Sequence, residues 1–209
     1  MVFVVDDESS VRKSLGRLLQ TSGYQTETFP SVIDFLNREH YDGVGCLVLD
    51  VYLRGLSGVD AIARLQEMNY DLPVVFITGY QDTLSCVIAM KRGAVDYLVK
   101  PIDVDDLLRA VREGLDRRRQ ALRIRSELDS IKANLASLTP REYEVLRYVV
   151  SGQLNKQIAQ RMGVVEKTIK VHRSRVMRKM HITRLVDLVR AAEKMGIPNV
   201  GERSVFDSR

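Results

Sequence analysis

Four short apolar runs punctuate the first half of the chain, and each ends on a polar residue. Val2-Phe3-Val4-Val5 ends on Asp6-Asp7, and Cys46-Leu47-Val48-Leu49 ends on Asp50. Val74-Val75-Phe76-Ile77 ends on Thr78, and Tyr97-Leu98-Val99 ends on Lys100-Pro101. Continuous apolar runs of this length read as strands buried on both faces, as in a parallel sheet. Tyr24 to Phe29 alternates enough to predict a fifth, weaker strand. Amphipathic stretches lie between the runs at about 9–22, 31–39, 57–68, 82–92 and from 103 onward. Five such βα units predict a five-stranded, doubly wound parallel sheet with right-handed crossovers and helices on both faces.

From residue 103 to about 136 the only Gly or Pro is Gly114, which predicts a helix that leaves the first domain and runs on as a connector. Ile124, Leu128, Ile131, Leu135 and Leu138 alternate spacings of four and three, a short heptad seam. The earlier seam, Leu108, Val111 and Leu115, is out of phase with it, and Arg117-Arg118-Arg119 sits at the break. A helix packed on its own domain and a dimeric coiled coil both fit this pattern. Beyond it the chain reads as all helical, over about 140–151, 155–162, 166–180 and 183–195. Thr139, Pro140 and Glu142 form a capping box with proline at the first helical position. The tail after Gly196 has little apolar periodicity and is expected to be loose.

Composition adds a division. The 209 residues carry a net charge of +5, but residues 1–112 hold 11 Lys+Arg against 16 Asp+Glu, and residues 113–209 hold 21 against 11. An acidic half joined to a basic half suggests two domains with different partners, the basic one a candidate for nucleic acid. A solvated basic surface is the plainer alternative. Cys46 and Cys86 lie in segments expected to be buried, which favours a reduced, cytoplasmic protein over a disulfide scaffold. No apolar stretch approaches the roughly 18 residues of a membrane span, and Met1 runs into a strand rather than a leader.

The strand-end residues carry the chemistry. In an open α/β sheet, ligands bind beyond the carboxyl ends of the strands, where strand order reverses. Asp6, Asp7 and Asp50 would crowd three carboxylates there, unfavourable without a cation, and oxygen ligands suit Mg²⁺ (or Mn²⁺). Asp50 is the candidate nucleophile for a phosphoryl group, with Lys100 and the Thr78 hydroxyl placed to meet phosphoryl oxygens. Tyr52, two residues after Asp50, is a poor second acid, which argues against a turnover phosphatase. No G-x-x-x-x-G-K-[ST] loop offers direct use of ATP. The chain therefore reads as a holder of phosphoryl groups rather than an enzyme. Tyr52 and Tyr80 flank the pocket and are expected to shield an acyl phosphate from water.

In the basic half, residues 166–180 predict a two-sided helix, with Ile169, Val176 and Met180 on one side and Lys167, Lys170, Val171, Ser174 and Arg178 on another. Lysine reaches guanine acceptors and Val171 a thymine methyl, so this face suits the major groove. The preceding segment, with Ile158 and Ala159, would brace it as a helix-turn-helix.

These motifs carry two resemblances. Residues 2 to about 112, through Asp6-Asp7, Asp50, Thr78-Gly79 and Lys100-Pro101, resemble the receiver domain of bacterial two-component response regulators. The resemblance implies a flavodoxin-like fold and phosphorylation of Asp50 by a sensor histidine kinase. It implies Mg²⁺ bound by Asp7, Asp50 and the backbone carbonyl of Tyr52, with Asp6 acting through water. It also implies a Thr78–Tyr97 switch pair and a cis Lys100–Pro101 bond. Leu53-Arg54 departs from the family's Met-Pro, while Gly55 and Gly58 remain.

Residues 138–195 resemble the four-helix LuxR-type domain of NarL/FixJ regulators, through Leu138 to Glu142, Asn155-Lys156-Gln157-Ile158-Ala159 and Lys167 to Arg173. That implies base contacts from Lys170, Val171 and Ser174, and phosphate contacts from Lys156, Thr168, Arg178 and Lys179. It implies a dimer contact through Leu185, Leu188 and Val189, and an inverted-repeat duplex as target. Leu154 and Val165 stand where the family often has Ser or Thr. Together the resemblances divide the chain into a receiver (1–112), helical linker (113–137), DNA-binding domain (138–196) and tail (197–209). They imply a homodimer on activation and RNA polymerase as a further partner, with no membrane expected; a surface within 83–112, with Ile88, Lys91, Val95 and Leu107 among its candidates, is expected to dimerise or to release the basic domain on phosphorylation. A phospho-dependent module binding protein or RNA is the rival from another class.

Overall fold

The computed structural model describes residues 1–53, 56–57, 64–65, 67–68, 70–79, 83–198 and 200. The chain forms two compact units, Met1–Arg123 and Ile124–Arg209. In the first, strands β1 (Val2–Val5), β2 (Thr26–Phe29), β3 (Cys46–Asp50), β6 (Val74–Thr78) and β7 (Asp96–Val99) form a sheet in the order β2-β1-β3-β6-β7. Every neighbouring pair in it is parallel. The chain passes from β1 outward to β2, then returns to lay β3 on the other side of β1. Strand order therefore reverses between β1 and β3, and Val5 pairs with Leu49 there, so Asp6 and Asp50 follow the same rung.

Strand alternation sorts the core into two faces. Phe3, Val5, Leu47, Leu49 and Phe76 meet Phe35 of α2 (Val32–Leu36) and Ala89 of α3 (Thr83–Lys91). Val2, Val4, Cys46, Val48, Val75 and Ile77 meet Leu15 and Leu19 of α1 (Ser9–Thr21) and Leu107, Ala110 and Val111 of α4 (Val104–Ala136). Burial on both faces is what the unbroken apolar runs require. A two-residue antiparallel pair, β4 (Tyr52–Leu53) with β5 (Leu56–Ser57), follows β3 and was not expected. The helix expected over 57–68 lies largely outside the described residues, as do Arg54, Gly55, Gly58 and Tyr80.

Two features seat α4 on the sheet. A Cβ on Gly114 would stand 2.6 Å from Cys46 Sγ, so only a bare backbone comes this close to β3. Arg118, 4% exposed, donates from Nε to the Gly43 carbonyl (3.2 Å) and from Nη1 to the Asp71 carbonyl (2.8 Å) and carboxylate (3.2 Å). A buried cation left unpaired costs several kcal/mol, an order-of-magnitude figure that these acceptors offset. Arg118 thus fixes the helix to two loops, whereas its neighbours Arg117 and Arg119 pair along the helix surface with Glu113 and Asp116.

The second unit packs α5 (Pro140–Val150), α6 (Asn155–Met162), α7 (Glu166–Lys179) and α8 (Leu185–Lys194) around Val145, Leu146, Ile158, Ile169, Val176 and Leu188. The capping box forms: Glu142 N–H donates to Thr139 Oγ1 (3.3 Å) and Thr139 N–H to Glu142 Oε2 (2.9 Å). Gly163, at φ 66°, ends α6 in the left-handed region. His181, at φ 55°, does the same just beyond α7.

Ile131, Leu135 and Leu138 pack against this core, which favours the packed helix for the seam, while Ile124 is 50% exposed. The tail is not wholly loose: Ile197 joins the same core, and Val200 N–H donates to Ser151 Oγ at 2.7 Å. No helix among the described residues is long and apolar enough to cross a membrane.

Candidate functional site

The carboxyl ends of β1 and β3 bring Asp6, Asp7 and Asp50 together, with one oxygen of each within 4.8 Å of the others. Asp6 is fully buried and Asp50 is 5% exposed. Lys100, following β7, donates to Asp6 Oδ2 (3.0 Å) and to Asp50 Oδ2 (2.8 Å). Its backbone N–H donates to the Thr78 carbonyl at 2.7 Å, locking the ends of β6 and β7 together. Thr78 is fully buried at the end of β6. Tyr52 N–H donates to Asp50 Oδ1 (3.1 Å), and Tyr52 is 51% exposed. Tyr97 is half-buried, its ring 6.3 Å from that of Phe76. The Lys100–Pro101 bond is cis, as the resemblance implied.

Burial drives the Asp6 carboxyl above its ordinary value, against hydrogen bonds from Lys100 and the Glu8 N–H that favour its charge. Burial works to lower the Lys100 ammonium, but its hydrogen bonds to Asp50 and Asp6 outweigh this and hold it above its ordinary value. Lys100 thus reaches two of the three aspartates, and the clustered oxygens of all three could hold a divalent cation. Octahedral Mg²⁺ holds oxygens at about 2.1 Å, so opposed ligands stand about 4.2 Å apart. The three oxygens lie close enough together to approach one ion, and hard oxygen donors fit it.

Sequence reasoning missed Arg12. From α1 it donates through Nη1 to the Asp6 carbonyl at 2.6 Å. No strand end or motif marks it; only the fold brings it to the β1–α1 turn.

On the second unit, Lys156, Lys167, Lys170, Val171, Ser174 and Arg178 are exposed, and Thr168 is half-buried. Five of these share the outward side of α7, opposite the buried Ile169 and Val176. Lys170 pairs with Glu166 at 3.4 Å. Lys179 stands apart: its ammonium donates to Glu142 Oε2 (2.6 Å) and the Ser137 carbonyl (2.9 Å), tying α7 back to α5. Arg173 Nη1 donates to Asn155 Oδ1 (3.0 Å), bracing α7 against α6.

Leu154 and Val165, both 68% exposed, precede α6 and α7 without a side-chain acceptor. At Leu154 the reverse half of a box survives, its N–H donating to Gln157 Oε1 at 2.8 Å. Two surface expectations are corrected. Leu188 is 1% exposed and belongs to the core, leaving Leu185 and Val186 as the exposed apolar residues of α8. Val95 and Leu107 are 5% and 0% exposed and fill the core on the α1 and α4 side of the sheet; among the described residues, Val87, Met90 and Val104 are exposed large apolar residues of that region.

An acidic pocket at the switch point of a parallel sheet, joined to a four-helix unit with a basic helix-turn-helix face, defines a response regulator. The chain matches the response regulator receiver domain over residues 2–112 and the luxR family of bacterial regulatory proteins over residues 136–192, and it belongs to that family of transcriptional response regulators. It is 41% identical over 197 residues to nodulation protein W of Bradyrhizobium diazoefficiens, covering 94% of this chain and 87% of that protein. Transcriptional regulatory protein FixJ of the same organism is 34% identical over 198 residues, covering 95% and 97%. Among solved structures, response regulator StyR aligns with TM-score 0.84 and 40% identity over 92% of this chain and 98% of that one. Full-length FixJ from B. japonicum aligns with TM-score 0.56 and 34% identity over 95% and 98%.

Proposed function

We propose that Asp50 accepts a phosphoryl group from the histidine of a sensor kinase, and that this controls dimerisation and promoter binding. An Asp50 O–P bond forms as the P–N bond of the donor phosphohistidine breaks. Asp7, Asp50 and the Tyr52 carbonyl, with Asp6 through water, would hold Mg²⁺ (or Mn²⁺), which offsets charge on the transferring group. Lys100, already bonded to Asp50 Oδ2, turns to one phosphoryl oxygen. The buried Thr78 hydroxyl donates to another, and Tyr97, leaning on Phe76, follows into the core. The observation that carries this reading is the convergence of Asp6, Asp7, Asp50, Lys100 and Thr78 at one crevice from the carboxyl ends of four strands.

The rearrangement reaches the surface around α3, β7 and α4, where Val87, Met90, Lys91 and Val104 are exposed and form the self-association face. The helical unit then binds an inverted repeat as a dimer, with Lys170, Val171 and Ser174 at base edges and Lys156, Lys167, Thr168 and Arg178 toward phosphates. Lys179 serves chiefly to hold α7 in place. This assigns residues 1–112 to the receiver, 113–137 to the linker and 138–196 to the DNA-binding domain, with the first residues of the tail packed on the last.

The direct test is intact-mass measurement after incubation with acetyl phosphate and Mg²⁺. Wild type should gain one phosphoryl group and Asp50→Asn none. Equal labelling of the Asp50→Asn variant would place the acceptor elsewhere.

A further inference from the structure

We infer that Arg12 is a positioning residue for the metal, holding the peptide group before Asp7 so that the Asp7 carboxylate faces the ion. The inference rests on the metal-site reading above.

Asp7 lies between two peptide groups, and each is fastened from a different direction. The Asp6–Asp7 peptide is held at its carbonyl by Arg12 Nη1, at 2.6 Å. The Asp7–Glu8 peptide is held at its N–H by Asp6 Oδ1, at 2.8 Å. Asp6 is itself anchored, its N–H donating to the Phe29 carbonyl (3.2 Å) and its second carboxylate oxygen accepting from Lys100 (3.0 Å). Arg12 also binds the far side of the turn, its backbone N–H donating to the Glu8 carbonyl at 3.0 Å. The Cα–Cβ direction of Asp7, from which its carboxylate starts, follows from the planes of its two flanking peptides. One is set by the acidic cluster itself, the other by a guanidinium delivered from α1.

That bond is short and charge-assisted, the kind that keeps its geometry. It also acts beyond the end of β1, which closes at Val5. Removing it takes this hold from the Asp6–Asp7 peptide while deleting none of the three carboxylates. A ligand misplaced by about 1 Å loses much of its effect. Groups that orient metal ligands without touching the metal typically change affinity by about 10–100-fold when removed.

The experiment is Mn²⁺ binding to the full chain, followed by the electron paramagnetic resonance of free Mn²⁺, for wild type, Arg12→Met, Arg12→Gln and Arg12→Lys. The Met and Gln variants should bind Mn²⁺ about 10–100-fold more weakly. Lysine, which keeps one cationic donor, should restore part of the loss. The Mg²⁺ concentration for half-maximal phosphorylation by acetyl phosphate should rise by the same factor, while the rate at saturating Mg²⁺ stays near wild type. Wild-type Mn²⁺ affinity in either neutral variant would overturn the role of Arg12 and leave the metal site standing. A wild-type chain that binds no Mn²⁺ would overturn both.

Discussion

Glu142 stands at the third position of α5 with its side chain 4% exposed, and its carboxyl is drawn down to about 2. The hydrogen bond from Lys179 is the main cause, followed by the Thr139 N–H. A carboxyl lowered on folding binds more protons in the unfolded chain at acid pH, so it stabilises above its ordinary value near 4.5 and loses that contribution as pH falls toward 2. Protection of the α5 and α7 amides, corrected for intrinsic exchange, should therefore fall between those limits, and Glu142→Gln should flatten the response; an unchanged profile in the variant would remove the pair as its cause. Half of this residue's role was legible, because Thr139 and Glu142 lie three apart in a known cap. The Lys179 half was not, because the partners are 37 residues apart and basic residues on a DNA-binding helix are first taken for phosphate contacts. The same divide separates Asp6, Asp7, Asp50, Thr78 and Lys100 from Arg12 and Arg118. Apolar runs delimit strands and so expose what stands at their ends, whereas an arginine that reaches back from a helix leaves no periodic trace.

At the scale of elements, the strands and most helices follow from apolar spacing, and their ends fall within a few residues of expectation. The β4–β5 pair did not announce itself, being two residues long on each side. Nor did the closeness of α4 to β3, since a lone glycine in a helical pattern has several readings. Gly114→Ala should cost about 1–3 kcal/mol by driving a Cβ into Cys46 Sγ. With Cys46→Ala in the background, the same change should turn neutral or stabilise by about 0.5–1 kcal/mol through helix propensity. Equal effects in both backgrounds, measured by urea unfolding, would show the contact to be slack. Cys46 is also a poor target for oxidation, since burial pushes its thiol up to about 12. At the start of α7, Val165→Ser supplies the missing cap acceptor and should add about 1 kcal/mol to the second unit. No gain in its unfolding midpoint would mean that the first turn is satisfied in another way.

For the whole molecule, the charge division proved the most informative property of the composition. The acidic half folds as the unit with the carboxylate pocket, and the basic half as the unit with the exposed lysines of α6 and α7. Composition could not say which apolar residues would be surface: Val95, Leu107 and Leu188 were expected outside and fill cores instead. Regulation requires that a charge placed on Asp50 bias an equilibrium felt by the helical unit. The measurement that tests this most directly is the affinity of wild type and Asp50→Asn for a duplex enriched from random sequence, with and without beryllofluoride and Mg²⁺. The expected result is an inverted repeat bound about 5–150-fold more tightly by wild type when beryllofluoride is present, with the variant indifferent. Wild-type DNA affinity and oligomeric state that ignore beryllofluoride would contradict phosphorylation as the switch.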